Sequence, residues 1–87
     1  MRIATSAEND LSCLSKSDAG KILKKLKQYE CLDNPLREAK ALKGEFKGYY
    51  RFRIGQYRAI FIKDSKGDIF ILHILKILHR KDIYRIK

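Results

Sequence analysis

Two short runs on either side of Gly55-Gln56 constrain this sequence most. Before the pair, Tyr50, Phe52 and Ile54 alternate with Tyr49, Arg51 and Arg53; after it, Tyr57, Ala59 and Phe61 alternate with Arg58, Ile60 and Ile62. A period of two marks a strand with one buried face. A Gly-X pair suits a two-residue type II′ turn, because glycine accepts positive φ at the first position. With Gly55 and Gln56 as the turn, Ile54 pairs with Tyr57, Arg53 with Arg58, Phe52 with Ala59 and Arg51 with Ile60. Cross-strand partners share a face. Tyr50, Phe52, Ile54, Tyr57, Ala59 and Phe61 therefore form one apolar side, and Arg51, Arg53 and Arg58 share the other. Slipping one strand by a residue would turn its apolar set outward, so the pattern fixes the register too.

The rest of the chain supplies what that apolar side needs to pack against. Ile3 and Ala4 suffice only for a short opening strand. Thr5 and Glu8 have the spacing of a capping box, and Ala7, Leu11 and Leu14 recur at helical spacing behind it. Ser15-Lys16-Ser17 breaks this first helix, with Ser17 placed to cap a second. Ile22, Leu26 and Tyr29 make its apolar stripe, widened by Leu23, while Lys21, Lys24, Lys25 and Lys27 read as a solvated face. Asn34-Pro35 ends it, since proline lacks a donor and disfavours a helical residue before it. Asp64 to Asp68 reads as a polar loop. Ile69 to Leu75 is apolar on both faces, as a central strand under helices would be, and His79 to Asp82 is polar again. Residues 1–87 thus form one α+β domain: a short N-terminal strand, a helical hairpin, then an antiparallel sheet of three or more strands.

Composition narrows the function classes. No apolar run approaches the roughly 18 residues that a membrane-spanning helix needs, and the N-terminus lacks the apolar segment of a secretory signal. A cytoplasmic location with no membrane partner is expected. Cys13 and Cys31 have no ligand-spaced neighbours, so they give neither a metal site nor a disulfide framework and read as free thiols. No cofactor motif is present. The 87 residues carry 20 Lys+Arg against 10 Asp+Glu, a net charge of +10. Residues 1–42 hold eight basic and six acidic side chains, residues 43–87 twelve and four. A surplus confined to one half makes a directed field that attracts polyanions.

The three arginines localise that field. Like charges directly opposite destabilise a sheet, and neither strand holds an acidic residue to neutralise them. Such a cluster makes sense where an anion normally sits. Guanidinium forks bind phosphate oxygens bidentately and stay charged at any physiological pH. Pairing with Glu38 or Glu45, or stems merely covering the sheet, is the bland alternative. Lys43 and Lys47 before the hairpin, and Lys81 after the last strand, are expected as further phosphate contacts, along an RNA backbone if the polyanion is a nucleic acid. His79, Arg80 and Tyr84 follow the end of that strand.

Leu42-Lys43-Gly44, Gly48 to Gly55, Tyr57-Arg58 and His79 to Tyr84 together resemble the RelE/ParE superfamily of bacterial and archaeal toxins. Ser6 to Leu11 ahead of a lysine-rich helix, and Asn34-Pro35, extend the likeness over essentially the whole chain. The resemblance implies a fold like that of small microbial ribonucleases and a toxin of a type II toxin–antitoxin pair, neutralised by a small acidic antitoxin. RelE-like members enter the ribosome and cut messenger RNA without a metal, the ribose 2′-hydroxyl attacking the adjacent phosphate. On that pattern Arg51 and Arg53 match two basic strand positions, Arg58 the transition-state arginine, Arg80 the arginine after the last core strand, and Tyr84 a base-stacking tyrosine. Some members carry lysine in place of Arg51 and Arg53. Arginine, with a pKa above about 12, is a poor general base. His79 is the first candidate for that role, since an imidazole near pKa 6.5 exchanges protons at neutral pH; Tyr84, Glu45 and Lys47 are weaker ones. A ParE-like toxin that inhibits DNA gyrase without catalysis, or a degenerate binding module, are the alternatives.

Overall fold

The computed structural model describes residues 1–66 and 69–82. Strand β1 (Arg2–Ile3) leads into helices α1 (Thr5–Ser12) and α2 (Lys16–Glu30). A 3-10 turn over Pro35–Glu38 then precedes β2 (Ala39–Ala41), and a second over Gly44–Phe46 precedes β3 (Tyr49–Ile54). Strands β4 (Tyr57–Lys66) and β5 (Ile69–His79) follow, the last elements among the described residues. The five strands lie in the order β1-β5-β4-β3-β2, with β1 parallel to β5 and all other pairs antiparallel. This is the expected α+β architecture, with a sheet of five strands.

The hairpin register is the expected one throughout, from Tyr49 opposite Ile62 to Ile54 opposite Tyr57. Gly55 turns it at φ 59°, a region that side chains beyond glycine rarely occupy. Ala7, Leu11, Ile22 and Leu26 on the helices bury against Phe52, Ile54, Ala59, Phe61, Leu72, Ile74 and Ile77 on the sheet. The centre of this core is a column of rings. Tyr29 stacks on Phe52 at 4.4 Å, Phe52 on Phe61 at 4.2 Å, and Tyr50 on Phe61 at 5.6 Å. Offset stacks of this kind add about 0.5–1.5 kcal/mol per pair beyond area burial.

Several local expectations change. Thr5 and Glu8 form no capping box: α1 begins at Thr5, Ala4 occupies the cap position, and no side chain caps the helix. Ser15 rather than Ser17 caps α2, its hydroxyl accepting from the Asp18 amide at 3.1 Å. The helix stops at Glu30, before the proline, and Asn34 instead caps the following 3-10 turn. Asp64 to Lys66 is not loop but the end of β4, carried by a ladder that continues to Lys66 opposite Ile69. Strand β2 was not apparent in the sequence at all.

The outer side of β5 is closed by the N-terminal segment. Arg2 and Ile3 pair with His73 and Ile74. The Ala4 amide then donates to the Ile74 carbonyl, the Ser6 hydroxyl to the Leu75 carbonyl, and the Ile77 amide to Asp10 Oδ2 at 2.9 Å. Lys76 Nζ adds a salt bridge to Asp10 Oδ1 at 3.2 Å. The ladder between β4 and β5 is irregular here: Ile60 faces Lys76 and Phe61 faces Ile74, leaving Leu75 as an extra residue. Beyond such a bulge the faces of the strand exchange. Phe52 sits mid-column and fully buried. Phe52→Ala is expected to cost about 3–5 kcal/mol, a large share of a small domain's stability, read as a fall in the urea midpoint.

Candidate functional site

On the face away from the helices, β3 and β4 hold Arg51, Arg53 and Arg58 side by side. The strand period sends Phe52 and Ile54 into the core and their neighbours outward, and the register sets Arg53 directly opposite Arg58. Strand β2 extends this face: Lys40 pairs with Arg51. Arg37 from the 3-10 turn stands beside it. The result is a shallow cleft of about 350 Å³ lined by Arg37, Glu38, Ala39, Lys40, Arg51, Arg53 and Arg58. Five cationic side chains and one carboxylate share it. Among the described residues, neither Arg51 nor Arg53 forms an ion pair within 4.0 Å.

Arg58 is anchored differently from the other two. Its Nη1 donates to the carbonyls of Gly55 at 2.9 Å and Tyr57 at 2.8 Å, so the guanidinium lies along its own hairpin turn. This stiffens the turn and fixes one cation at the end of the cleft. Ile60 lies on the same outward face opposite Arg51, yet is only 5% exposed. A cluster so built offers forked donors to a tetrahedral or planar oxyanion over a surface with little screening.

The other residues singled out from sequence divide three ways. His79 does not join the arginines. It pairs with Tyr57 across the ladder and packs edge-on against that ring at 5.6 Å, in a hollow of about 330 Å³ that also includes Asp18, Lys21 and Ile22 of α2. The bulge at Leu75 is the physical reason, because it puts Ile77 and His79 on the helix side and Leu78 opposite Arg58. Arg80 is held near the hairpin turn by its amide, which donates to the Gln56 carbonyl at 2.7 Å, and Lys81 is exposed beside it. Neither lines the cleft. Lys43 and Lys47 line a separate, mostly apolar hollow with Leu42 and Tyr50. Tyr84 lies outside the described residues.

Arg37, Glu38 and Lys40 were missed as cleft residues. Glu38 was considered only as a neutralising partner, and the three-residue strand that carries this segment to the arginines has no alternating pattern of its own. Among the described residues no cluster of His, Cys, Asp and Glu is fit to hold a metal. Cys13 and Cys31 are exposed free thiols at the C-caps of α1 and α2. No helix among the described residues is long and apolar enough to cross a membrane.

The sequence model of the ParE toxin of the parDE type II toxin–antitoxin system matches residues 1–84. The chain belongs to the ParE toxin family. Within the wider RelE/ParE superfamily, the fold matches the RelBE2 toxin–antitoxin complex of Mycobacterium tuberculosis with a TM-score of 0.73 and 28% identity, over 91% of this chain and 94% of that one. The RelB–RelE antitoxin–toxin complex of Methanococcus jannaschii gives 0.64 and 26% over 98% and 96%. YafQ of Escherichia coli shares the fold at 0.62 with 10% identity, over 95% and 94%. No curated protein matches the chain significantly. The protein is thus a toxin of a type II toxin–antitoxin system.

Two consequences of this geometry are measurable. Each exposed cation that grips a phosphate contributes about 0.7 to the log–log salt slope of single-strand binding. If a single strand lies along this cleft, Arg51→Ala and Arg53→Ala should each flatten that slope by this amount, read by oligonucleotide anisotropy between low and physiological salt. In the opposite hollow, burial raises the Tyr57 phenol above its ordinary 10.0, helped by the Asp18 charge and by the hydrogen bond from Tyr57 Oη to Asp18 Oδ2 at 3.2 Å. Because the folded value is raised, its stabilising contribution is complete below pH 10 and is lost as pH climbs through that higher value. Tyr57→Phe should remove this part of the decline in urea midpoint above pH 10.

Proposed function

We propose that this toxin is a ribosome-dependent endoribonuclease that cuts messenger RNA at the arginine cleft. The observation that supports this most is the convergence of Arg51, Arg53 and Arg58 on one cleft whose floor is the rigid β3–β4 hairpin. The ribosome and the messenger enter the reading through the likeness to RelE-like toxins. An acidic antitoxin that wraps the basic face fits both the net charge of +10 and the antitoxin-bound state of the Mycobacterium tuberculosis and Methanococcus jannaschii relatives.

The chemistry asked of the cleft is modest. A ribose 2′-oxygen forms a bond to the adjacent phosphorus, the bond from phosphorus to the 5′-oxygen breaks, and a 2′,3′-cyclic phosphate is left. Negative charge concentrates on the non-bridging oxygens as five bonds form around phosphorus. Preorganised guanidinium groups aimed at that charge stabilise it more than they stabilise the ground state. The 2′-hydroxyl proton needs an acceptor. Glu38 is the one carboxylate lining the cleft, and it takes this role in the present reading in place of His79. The departing 5′-oxygen is protonated from solvent.

The match to the ParE toxin family supports a second reading, inhibition of DNA gyrase without catalysis. It uses the same basic face for protein contact and requires no Glu38. Translation-coupled cleavage of messenger RNA, run beside a gyrase supercoiling assay, separates the two. Arg58→Ala is expected to slow cleavage about 10²–10³-fold and Glu38→Gln about 10²–10⁴-fold. His79→Ala should stay within a few-fold of wild type. Supercoiling inhibition with no cut sites would replace this reading by the second.

A further inference from the structure

Tyr49 is one of only two large apolar side chains that stand exposed among the described residues, at 37%, the other being Leu32. A single exposed aromatic needs no explanation by itself. Its placement is what carries meaning. The period of β3 puts Tyr49 on the same outward face as Arg51 and Arg53, since Tyr50, Phe52 and Ile54 all join the core. Two residues of strand separate Tyr49 from Arg51, about 6.5–7 Å. The aromatic plane therefore stands at one end of the arginine cleft, within one nucleotide's reach of a phosphate held by Arg51.

The ring is also held in place. Phe46 packs beside it with centroids 6.1 Å apart and planes tilted by 38°. Phe46 itself ends the 3-10 turn that begins at Gly44, and positive φ at Gly44 (70°) and Gly48 (98°) folds the intervening loop back toward the strand. The Tyr49 carbonyl accepts from the Leu42 amide at 2.9 Å, so its backbone is tied on both sides. Exposed Lys47 lies between the two aromatics in sequence, and the arginines continue beyond them. An aromatic flanked by cations along an extended track is how proteins bind single-stranded nucleic acid. Cations follow the backbone, and a ring takes a base whose π-face any sequence provides.

We infer that Tyr49, supported by Phe46, is a stacking platform for a nucleobase of the single-stranded RNA whose phosphates lie on Arg51 and Arg53. The inference rests on the RNA reading above and adds to it a base-binding position next to the phosphate grip. The platform recognises a ring and not a particular base, so it positions the strand without selecting sequence.

The test compares a single-stranded RNA hexamer with an abasic hexamer of the same length, bound to wild type, Tyr49→Ala and Tyr49→Phe. Wild type should prefer the base-containing strand. Tyr49→Ala should weaken binding of that strand about tenfold to a hundredfold and leave the abasic strand within twofold, with the salt slope unchanged. Tyr49→Phe should bind both as wild type does. The chain has no tryptophan, so Tyr49→Trp supplies a unique fluorophore that the base-containing strand should quench and the abasic strand should not. Equal effects of Tyr49→Ala on the two strands, in a variant with wild-type circular dichroism and thermal midpoint, would overturn the platform and leave the phosphate grip standing. Failure of wild type to bind either strand would overturn the RNA reading, and the platform with it.

Discussion

The stacked rings of Tyr29, Phe52, Phe61 and Tyr50 tie one helix and two strands into a single column. Their geometry leaves little freedom to the hairpin. A one-residue shift of β3 would withdraw Phe52 from the column and insert Arg51 or Arg53 in its place, at the cost of a buried charge. The outward face is therefore set by the inward one. Arg51, Arg53 and Arg58 converge because their neighbours stack, and the mutual repulsion of the arginines is outweighed by the burial beneath them. This separates the two tasks of the sheet: the core face supplies stability, and the cleft face is left free to hold unfavourable charge.

The parts legible in sequence were those where side chains repeat with a period. The β3–β4 hairpin was readable to the residue, since both strands alternate and Gly55 marks the turn. The helices were readable in type but not in their ends, because Thr5 and Ser17 are as good caps on paper as Ala4 and Ser15 are poor and good ones in fact. What escaped was held by backbone alone. Ala39-Lys40-Ala41 has no apolar rhythm, yet its ladder to β3 delivers Arg37, Glu38 and Lys40 to the cleft. The bulge at Leu75 is equally silent in sequence, and it turns His79 to the helix side. Counting residues from Ile74 without the bulge would have set His79 among the arginines.

The cleft's composition also shapes how the protein meets its partners. Arg51 and Arg53 gain no ion-pair stabilisation among the described residues, while Arg58 is engaged with the turn. An incoming anion thus finds one end of the site stiffened in advance and the other end ready to adapt. Stiffness at Arg58 reduces the ordering cost of binding. The unneutralised charge raises encounter rates and makes them sensitive to salt. An acidic segment and a nucleic acid would exploit the same two properties, so a surface suited to one is readily occluded by the other.

The N-terminal segment has a consequence beyond holding the helices. Between Arg2 and Asp10 it pairs with His73 and Ile74 of β5 and takes up the Ile74 and Leu75 carbonyls and the Ile77 amide, groups that a neighbouring strand would otherwise use. The opposite border of the sheet ends in three residues centred on Lys40, too short and too charged to recruit another strand. Sheets with unguarded borders tend to grow by adding copies of themselves. Here both border strands are short, two residues in β1 and three in β2, which limits the length over which a second copy could add.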